Sequence, residues 1–303
     1  MTRSQTFELL TPCFCAGISK SHPEMRLSSI RGQLRWWHRV LHGAGNPEYE
    51  LFGGIKGKRF GYDDEAVASS FKFSLADNTN LHPMKSMLVP HKRGRNSQPD
   101  TRFEFPSLPP TSRYTLTWSA QPHPDFAAKA DDMLGAESRS QQLERLLKTW
   151  LLLGTLGRRA TRAMGSVWPV DFAPTVEEFE SLISSLQIPS TVKIAVLNAN
   201  DPNPRHTTDE LTKIAGETVH GLKRHKTDRT TRQTTQGIDG DPLGYVDGPN
   251  RKASPLRFKV GKFSDGLRLI AIWDNRNNRG GNLSDAKDQI CRPLSDWLDA
   301  AGF

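Results

Sequence analysis

The chain has 303 residues, 36% of them hydrophobic, which is enough for a packed core and for two domains of ordinary size. Lys and Arg number 41 against 33 Asp and Glu, and the resulting formal charge of +8 suits a polyanionic partner. No apolar run approaches the roughly 20 residues that span a bilayer, and no basic stretch followed by an apolar one opens the chain, so the expectation is a cytoplasmic protein without membrane contact. Three cysteines, Cys13, Cys15 and Cys291, give neither a disulfide framework nor zinc-ligand spacing, and they read as small buried hydrophobes in a reducing compartment.

Taken in order, Thr6 to Thr11 alternates like a strand and stops at Pro12, after which Gly17 to Pro23 is a loop. Pro23 to Leu41 reads as one amphipathic helix. At about 100° per residue Ile30, Leu34, Trp37 and Leu41 form an apolar stripe, while Arg31, Arg35, His38, Arg39 and His42 share a neighbouring arc. Ser28 or Ser29 is the expected cap, and Gly43 the expected left-handed stop. Trp36 flanks the stripe on the side away from the arginines, which assigns it to packing or to a partner interface rather than to base stacking. Phe71 to Leu75 and Tyr114 to Trp118 alternate as half-buried strands, with a polar, proline-rich insertion expected from Leu81 to Pro110. A second amphipathic helix is predicted from Ser140 to Leu153 on the spacing of Leu143, Leu146, Leu147 and Trp150.

That helix runs into Leu153 to Val167, where three glycines accompany Arg158, Arg159 and Arg162. Glycines allow close backbone approach and bare N–H groups favour an anion, although no nucleotide-binding fingerprint is present and a helix cap with solvated arginines is the competing reading. Beyond Pro169, Val176 to Leu186 reads as a helix and Val192 to Leu197 as a strand. Asn198 to Asn250 reads as a long basic, glycine-rich loop carrying Lys223, Arg224, Lys226, Arg229 and Arg232. Pro255 to Val260 and Leu267 to Ile272 then form a hairpin around Ser264-Asp-Gly266, and Ser284 caps a closing helix toward Leu298. The expected class is α+β, with tandem ferredoxin-like (RRM-like) domains, residues 1–170 and 171–303, carrying long basic loop insertions. The C-terminal strands either close their own sheet or complete the first.

Thr11-Pro12 with Gly17, then Glu24-Met-Arg-Leu-Ser-Ser-Ile-Arg-Gly-Gln-Leu-Arg-Trp-Trp37, then Glu50-Leu-Phe-Gly53, resemble the family of first subunits of the Cmr complex, within the RAMP superfamily of type III-B CRISPR effectors. Leu156 to Val167 resembles that superfamily's glycine-rich loop, and Gly248 to Phe258 the family's late Ser-Pro-Leu strand. The resemblance implies ferredoxin-like folds and a non-catalytic RNA-binding subunit in antiviral defence. Such a subunit holds the 3′ part of a guide RNA and touches the other Cmr subunits, including the RAMP backbone subunits, with target RNA a further candidate partner. No cofactor and no metal is implied.

The candidate RNA contacts are Arg26, Arg31, Arg35, His38, Arg39, Arg158, Arg159, Arg162, Lys223, Arg224, Lys226, Arg251 and Lys252, with the two arginine groups facing across a groove. The competing reading of the helix arginines is an ordinary solvated face. The rival activity is a metal-independent RAMP endoribonuclease of guide precursors using His22, His38 or His42, assisted by Lys20 or Tyr114. A DNA-binding module lacks both helix-turn-helix and zinc spacing. Asp63-Asp-Glu65, Asp131-Asp132 and Asp239-Gly-Asp241 read as solvated turns.

Overall fold

The computed structural model describes residues 2–17, 19, 21–43, 46–56, 65–79, 81–88, 104–121, 138–197, 207–224, 246–247, 250–251, 254 and 256–274. Among them no helix is long and apolar enough to cross a membrane. Strand β1 (Thr2–Leu9) leads through a looped segment into α1 (Leu27–His42) and α2 (Asn46–Phe52). Short strands β2 (Gly54–Lys56) and β3 (Glu65–Val67) pair with each other before β4 (Phe71–Asp77). The arms β5 (Met84–Met87) and β6 (Glu104–Ser107) pair, and β7 (Arg113–Ala120), α3 (Arg139–Leu153) and β8 (Val167–Pro169) follow.

The four-stranded antiparallel sheet has the order β4-β7-β1-β8. The first strand in the chain, β1, is therefore central, with β8, the last, at its side. Period-two alternation decides which face is covered. Phe7 on β1 lies beside Tyr114 on β7 and edge-on to Trp150 on α3, so Phe7, Tyr114, Leu116 and Trp118 point under the helices. Ile30, Leu34 and Trp37 of α1 and Leu143, Leu146 and Leu147 of α3 bury the stripes read from their spacing.

The helix ends differ in chemistry. Ser138 and Gln141 form a capping box on α3, whereas α1 begins at Leu27 with Arg26 as an N-cap that makes no side-chain bond, so neither Ser28 nor Ser29 caps it. Pro23 to Arg26 is an extended lead-in rather than a first turn; Pro23 bridges back to Ala16. Gly43 does stop α1 at positive φ (+80°), with ψ of 179° in place of the left-handed helical value.

In the second half α4 (Val176–Ser185) starts in a Thr175–Glu178 capping box and precedes β9 (Val192–Val196). The region expected to be a plain basic loop contains α5 (Thr208–Arg224), whose start is fixed by reciprocal bonds between Thr207 and Glu210. Two-residue strands β10 (Val246–Asp247) and β11 (Asn250–Arg251) precede β12 (Leu256–Phe263) and β13 (Gly266–Asp274), which form the hairpin anticipated around Ser264 to Gly266. The order of this sheet is β12-β13-β9. The closing helix expected toward Leu298, and Cys291, lie outside the described residues.

The halves share one apolar core. Trp168 on β8 packs with Phe172, Phe179 on α4 and Phe263 on β12. Lys259 of β12 is fully buried, places its ammonium nitrogen 5.2 Å from the Trp168 ring centroid, and donates to the Leu151 carbonyl at the end of α3 at 2.5 Å. Burial pushes its pKa well below the ordinary lysine value. The Leu81 to Pro110 segment is likewise not wholly exposed. Leu108 exchanges backbone bonds with Cys13, and Leu88 joins Phe14, Met164 and Phe105 in a small cluster under the β5–β6 arms.

Candidate nucleic-acid interface

The α1 arginines face inward on an element that the sequence reading lacked. Arg31 and Arg35 both donate to the Phe52 carbonyl at the end of α2, and Arg35 also donates to that of Gly53. Glu48 of α2 is buried, with only 2% of its side chain exposed, and its carboxylate accepts Arg39 Nε at 2.5 Å, Arg39 Nη2 at 2.7 Å and Arg35 Nη1 at 3.1 Å. The expected free cationic ridge is thus corrected: Glu48 pairs with Arg35 and Arg39, Arg31 is held by a carbonyl, and Arg39 alone remains about half exposed. Bonding to Glu48 raises the Arg39 pKa, while burial and the neighbouring Arg35 lower that of Arg31. Glu50 in turn pairs with Arg139 of α3 at 2.9 Å. The Arg-Gly-x-Leu-Arg-Trp-Trp helix and the Glu50-Leu-Phe-Gly53 turn are therefore two sides of one internal lock.

His38 does not reach the surface either. It is 1% exposed, its ring centroid lies 4.9 Å from that of His42 and 6.4 Å from that of Phe52, and neither ring nitrogen finds a hydrogen-bond partner. Burial, with His42 second, pushes its pKa down to about 4. The imidazole is thus enclosed rather than presented on the polar arc where its spacing put it. His42 meets Arg145 at 3.3 Å, and His22 is exposed beside Ser21. Tyr114 is buried under the helices, and that burial raises its phenol pKa well above the ordinary tyrosine value. Trp36, expected to pack or to meet a partner, is half-buried, with the Arg257 guanidinium of β12 3.9 Å from its ring centroid.

The face of the four-stranded sheet opposite the helices is polar along β4, β7 and β1. Opposite the helices, Lys72, Ser74 and Ala76 of β4 stand beside Ser119, Thr117 and Thr115 of β7, with Ser4 and Thr6 of β1 next in register. These are hydroxyls, a methyl and the Lys72 ammonium, so these positions of β4, β7 and β1 offer no ring on which a base would stack.

What the sequence did place correctly is the glycine-rich loop, and the structure explains its residues. The Thr11 hydroxyl donates to the Ala163 carbonyl at 2.6 Å and accepts the Ser166 N–H at 2.9 Å, while Gly165 donates to the Pro12 carbonyl. Ser166 Oγ accepts the Val260 N–H, and Ala163 donates to the Phe258 carbonyl, so β12 buttresses the loop from the second half. Gly165 has φ of +64° and any Cβ there would stand 2.0 Å from the Leu156 carbonyl oxygen. Arg159 and Ala163, at φ of +60° and +64°, flank a 3-10 turn at Ala160–Arg162. Left-handed non-glycine residues cost energy and concentrate where a ligand site demands them.

Arg158, Arg159 and Arg162 are gathered by this turn. Arg158 and Arg159 are exposed and Arg162 half-buried. Burial lowers the Arg159 pKa with Arg158 adding to the effect, and burial with Arg159 brings Arg162 down to about 10. These cations crowd one another, and among the described residues no carboxylate pairs with them. Arg26 is exposed at the start of α1 and lies close enough to Cys15 to help lower its thiol pKa, after the hydrogen bond from Cys13. Cys13 and Cys15 are buried beneath this region with their sulfurs 3.1 Å apart. The side chains of Lys223, Arg224 and Arg251, and all of Lys20, Lys226 and Lys252, lie outside the described residues, although the backbone of α5 touches the 3-10 turn.

The crystal structure of Cmr1 from Pyrococcus furiosus in its apo form superposes with a TM-score of 0.56 at 19% identity, covering 90% of this chain and 87% of that one. Chains in two cryo-EM structures of a type III-B Cmr-beta complex bound to cognate target RNA give TM-scores of 0.48 and 0.46, at 12% and 14% identity, each over 89% of this chain and over 94% and 93% of theirs. No curated protein matches the sequence. The model of the RAMP superfamily matches residues 6–168, which run from β1 through the arginine loop to β8. That span is more than half of the chain and contains the four-stranded sheet and its glycine-rich turn, so this protein belongs to the RAMP superfamily.

Proposed function

We propose that the chain is a non-catalytic RNA-binding subunit of a type III-B (Cmr) ribonucleoprotein that holds the 3′ part of the guide RNA, contacts the RAMP backbone subunits, and works in the cytoplasm. The observation that carries this reading is the contrast between two arginine groups. Those on α1 are satisfied by Glu48 and by α2 carbonyls, whereas Arg158, Arg159 and Arg162 are crowded on a turn with no carboxylate partner among the described residues. A phosphate backbone relieves that crowding. Superfamily membership and a Cmr1-like fold support the assignment.

The second half is read as a further ferredoxin-like domain beginning near residue 171. Elements β9-α5-β12-β13 with order β12-β13-β9 repeat the connectivity of β1-α1-β4-β7 with order β4-β7-β1. Lys223, Arg224, Lys226, Arg251 and Lys252 of this half extend the basic surface.

Anisotropy titration of a labelled single-stranded RNA tests the site. Replacing Arg158, Arg159 and Arg162 together with Ala should weaken binding and cut the log-log salt slope by about 1.4–2, at roughly 0.7 for each of two or three phosphate contacts. An unchanged slope overturns the loop as the RNA site. Incubation of a guide precursor with the protein in EDTA should leave it intact; cleavage lost on His22→Ala would reinstate the ribonuclease. Co-purification with a small RNA of defined length and with other Cmr subunits tests the assembly, and its absence counts against it.

A further inference from the structure

We propose that Arg158 is a stacking platform for a nucleobase, so that the loop takes a single-stranded RNA step with a base on Arg158 and phosphates on Arg159 and Arg162. This rests on the RNA-binding reading above and divides its labour. The Arg158 guanidinium carbon lies 5.0 Å from the ring centroid of Phe105. Phe105 is a residue of β6, opposite Ser86 of β5, and it packs on Phe14, Leu88 and Met164, so the ring is itself held in place.

The backbone of Arg158 is pinned as well. Its N–H donates to the Phe14 carbonyl at 3.2 Å, and Gly157 before it, at φ of +78°, permits that approach because it lacks a Cβ, which would stand 2.9 Å from the same oxygen. The guanidinium thus rests against an aromatic ring while the Arg158 side chain as a whole remains exposed. A guanidinium plane is weakly hydrated and accepts planar π systems, which an ammonium does not. Arg159 and Arg162 have no such ring among the described contacts and offer concentrated charge. The loop then divides into one guanidinium plane for a base and two neighbouring charges for its flanking phosphates.

The test uses the full chain and two fluorescein-labelled 12-mers of equal charge, one of single-stranded oligouridylate and one with abasic sites throughout. Wild type should prefer the intact strand by about tenfold, the scale of one stacked base. Arg158→Lys keeps the charge and loses the plane, so it should bind both strands alike with the wild-type salt slope. Arg159→Ala should instead keep the preference for bases and lower the slope by roughly 0.7. Phe105→Leu, which preserves apolar packing at the hairpin root, should reduce the preference without changing the slope. Equal binding of both strands by wild type, or a preference that survives Arg158→Lys, overturns the stacking role while leaving the phosphate role standing. Unchanged affinity and slope in both Arg159→Ala and Arg162→Ala overturns the underlying loop reading, and no binding of either strand by wild type overturns both.

Discussion

Replacing Arg35 and Arg39 together with Ala should damage the fold rather than merely discharge a surface. The Glu48 carboxylate is 2% exposed, and the donors described for it are these two guanidiniums. Removing the partner of a buried ion pair costs about 3–5 kcal/mol, because the remaining charge has no water to return to. Arg35 is 25% and Arg39 49% exposed, so solvent already screens the pair and the lower end, about 3 kcal/mol, is the expected loss. Arg39→Ala alone leaves Arg35 in place and should cost only about 1–2 kcal/mol. Glu48→Gln added to the double variant should recover at least about 1 kcal/mol, since a neutral amide is cheaper to bury than a carboxylate. Urea unfolding followed by tryptophan fluorescence reads all three as midpoint shifts at constant slope. A double variant that loses less than about 1 kcal/mol, or a triple no more stable than the double, would refute the claim that Glu48 depends on these arginines.

His38 makes stability pH-dependent in a stated direction. Its folded pKa of about 4 lies below the ordinary 6.5, so the unfolded chain binds the extra proton; stability is full above pH 6.5 and falls by up to about 3 kcal/mol as the pH drops to 4. His38→Leu should flatten thermal stability across that window, and an equal slope in both proteins would show that another group is responsible. Gly165→Ala, forced to φ of +64° with its Cβ 2.0 Å from a carbonyl oxygen, should cost at least about 2 kcal/mol and weaken RNA binding together. Gly32→Ala, with nothing within 4 Å in the exposed middle of α1, should instead stabilise by up to about 1 kcal/mol. A thermal melt that ranks the two glycine variants the other way contradicts this account of the loop.

The sequence alone determined what local periodicity can determine. The apolar stripes of α1 and α3, the alternation of β4 and β7, and the turn at Ser264 to Gly266 all appear where side-chain spacing put them, because burial on one face imposes a period of 3.6 or 2. Thr207 with Glu210 and the spacing of Leu211, Ile214 and Ala215 carried an equally plain signal for α5, masked by the basic, glycine-rich composition around it. The glycine-rich loop was also legible, since glycines at positive φ leave a mark in composition.

Tertiary structure decided which cations remain free. An arginine row reads the same along a helix whether it meets solvent or a carboxylate, and only the seven residues of α2 reveal that Glu48 lies against it. For the same reason His38 was placed on the polar arc although the ring is buried, and only the fold brings Arg257, more than two hundred positions later, against Trp36. Charge and aromaticity are properties of a residue, but their availability to a ligand depends on what the rest of the chain packs against them.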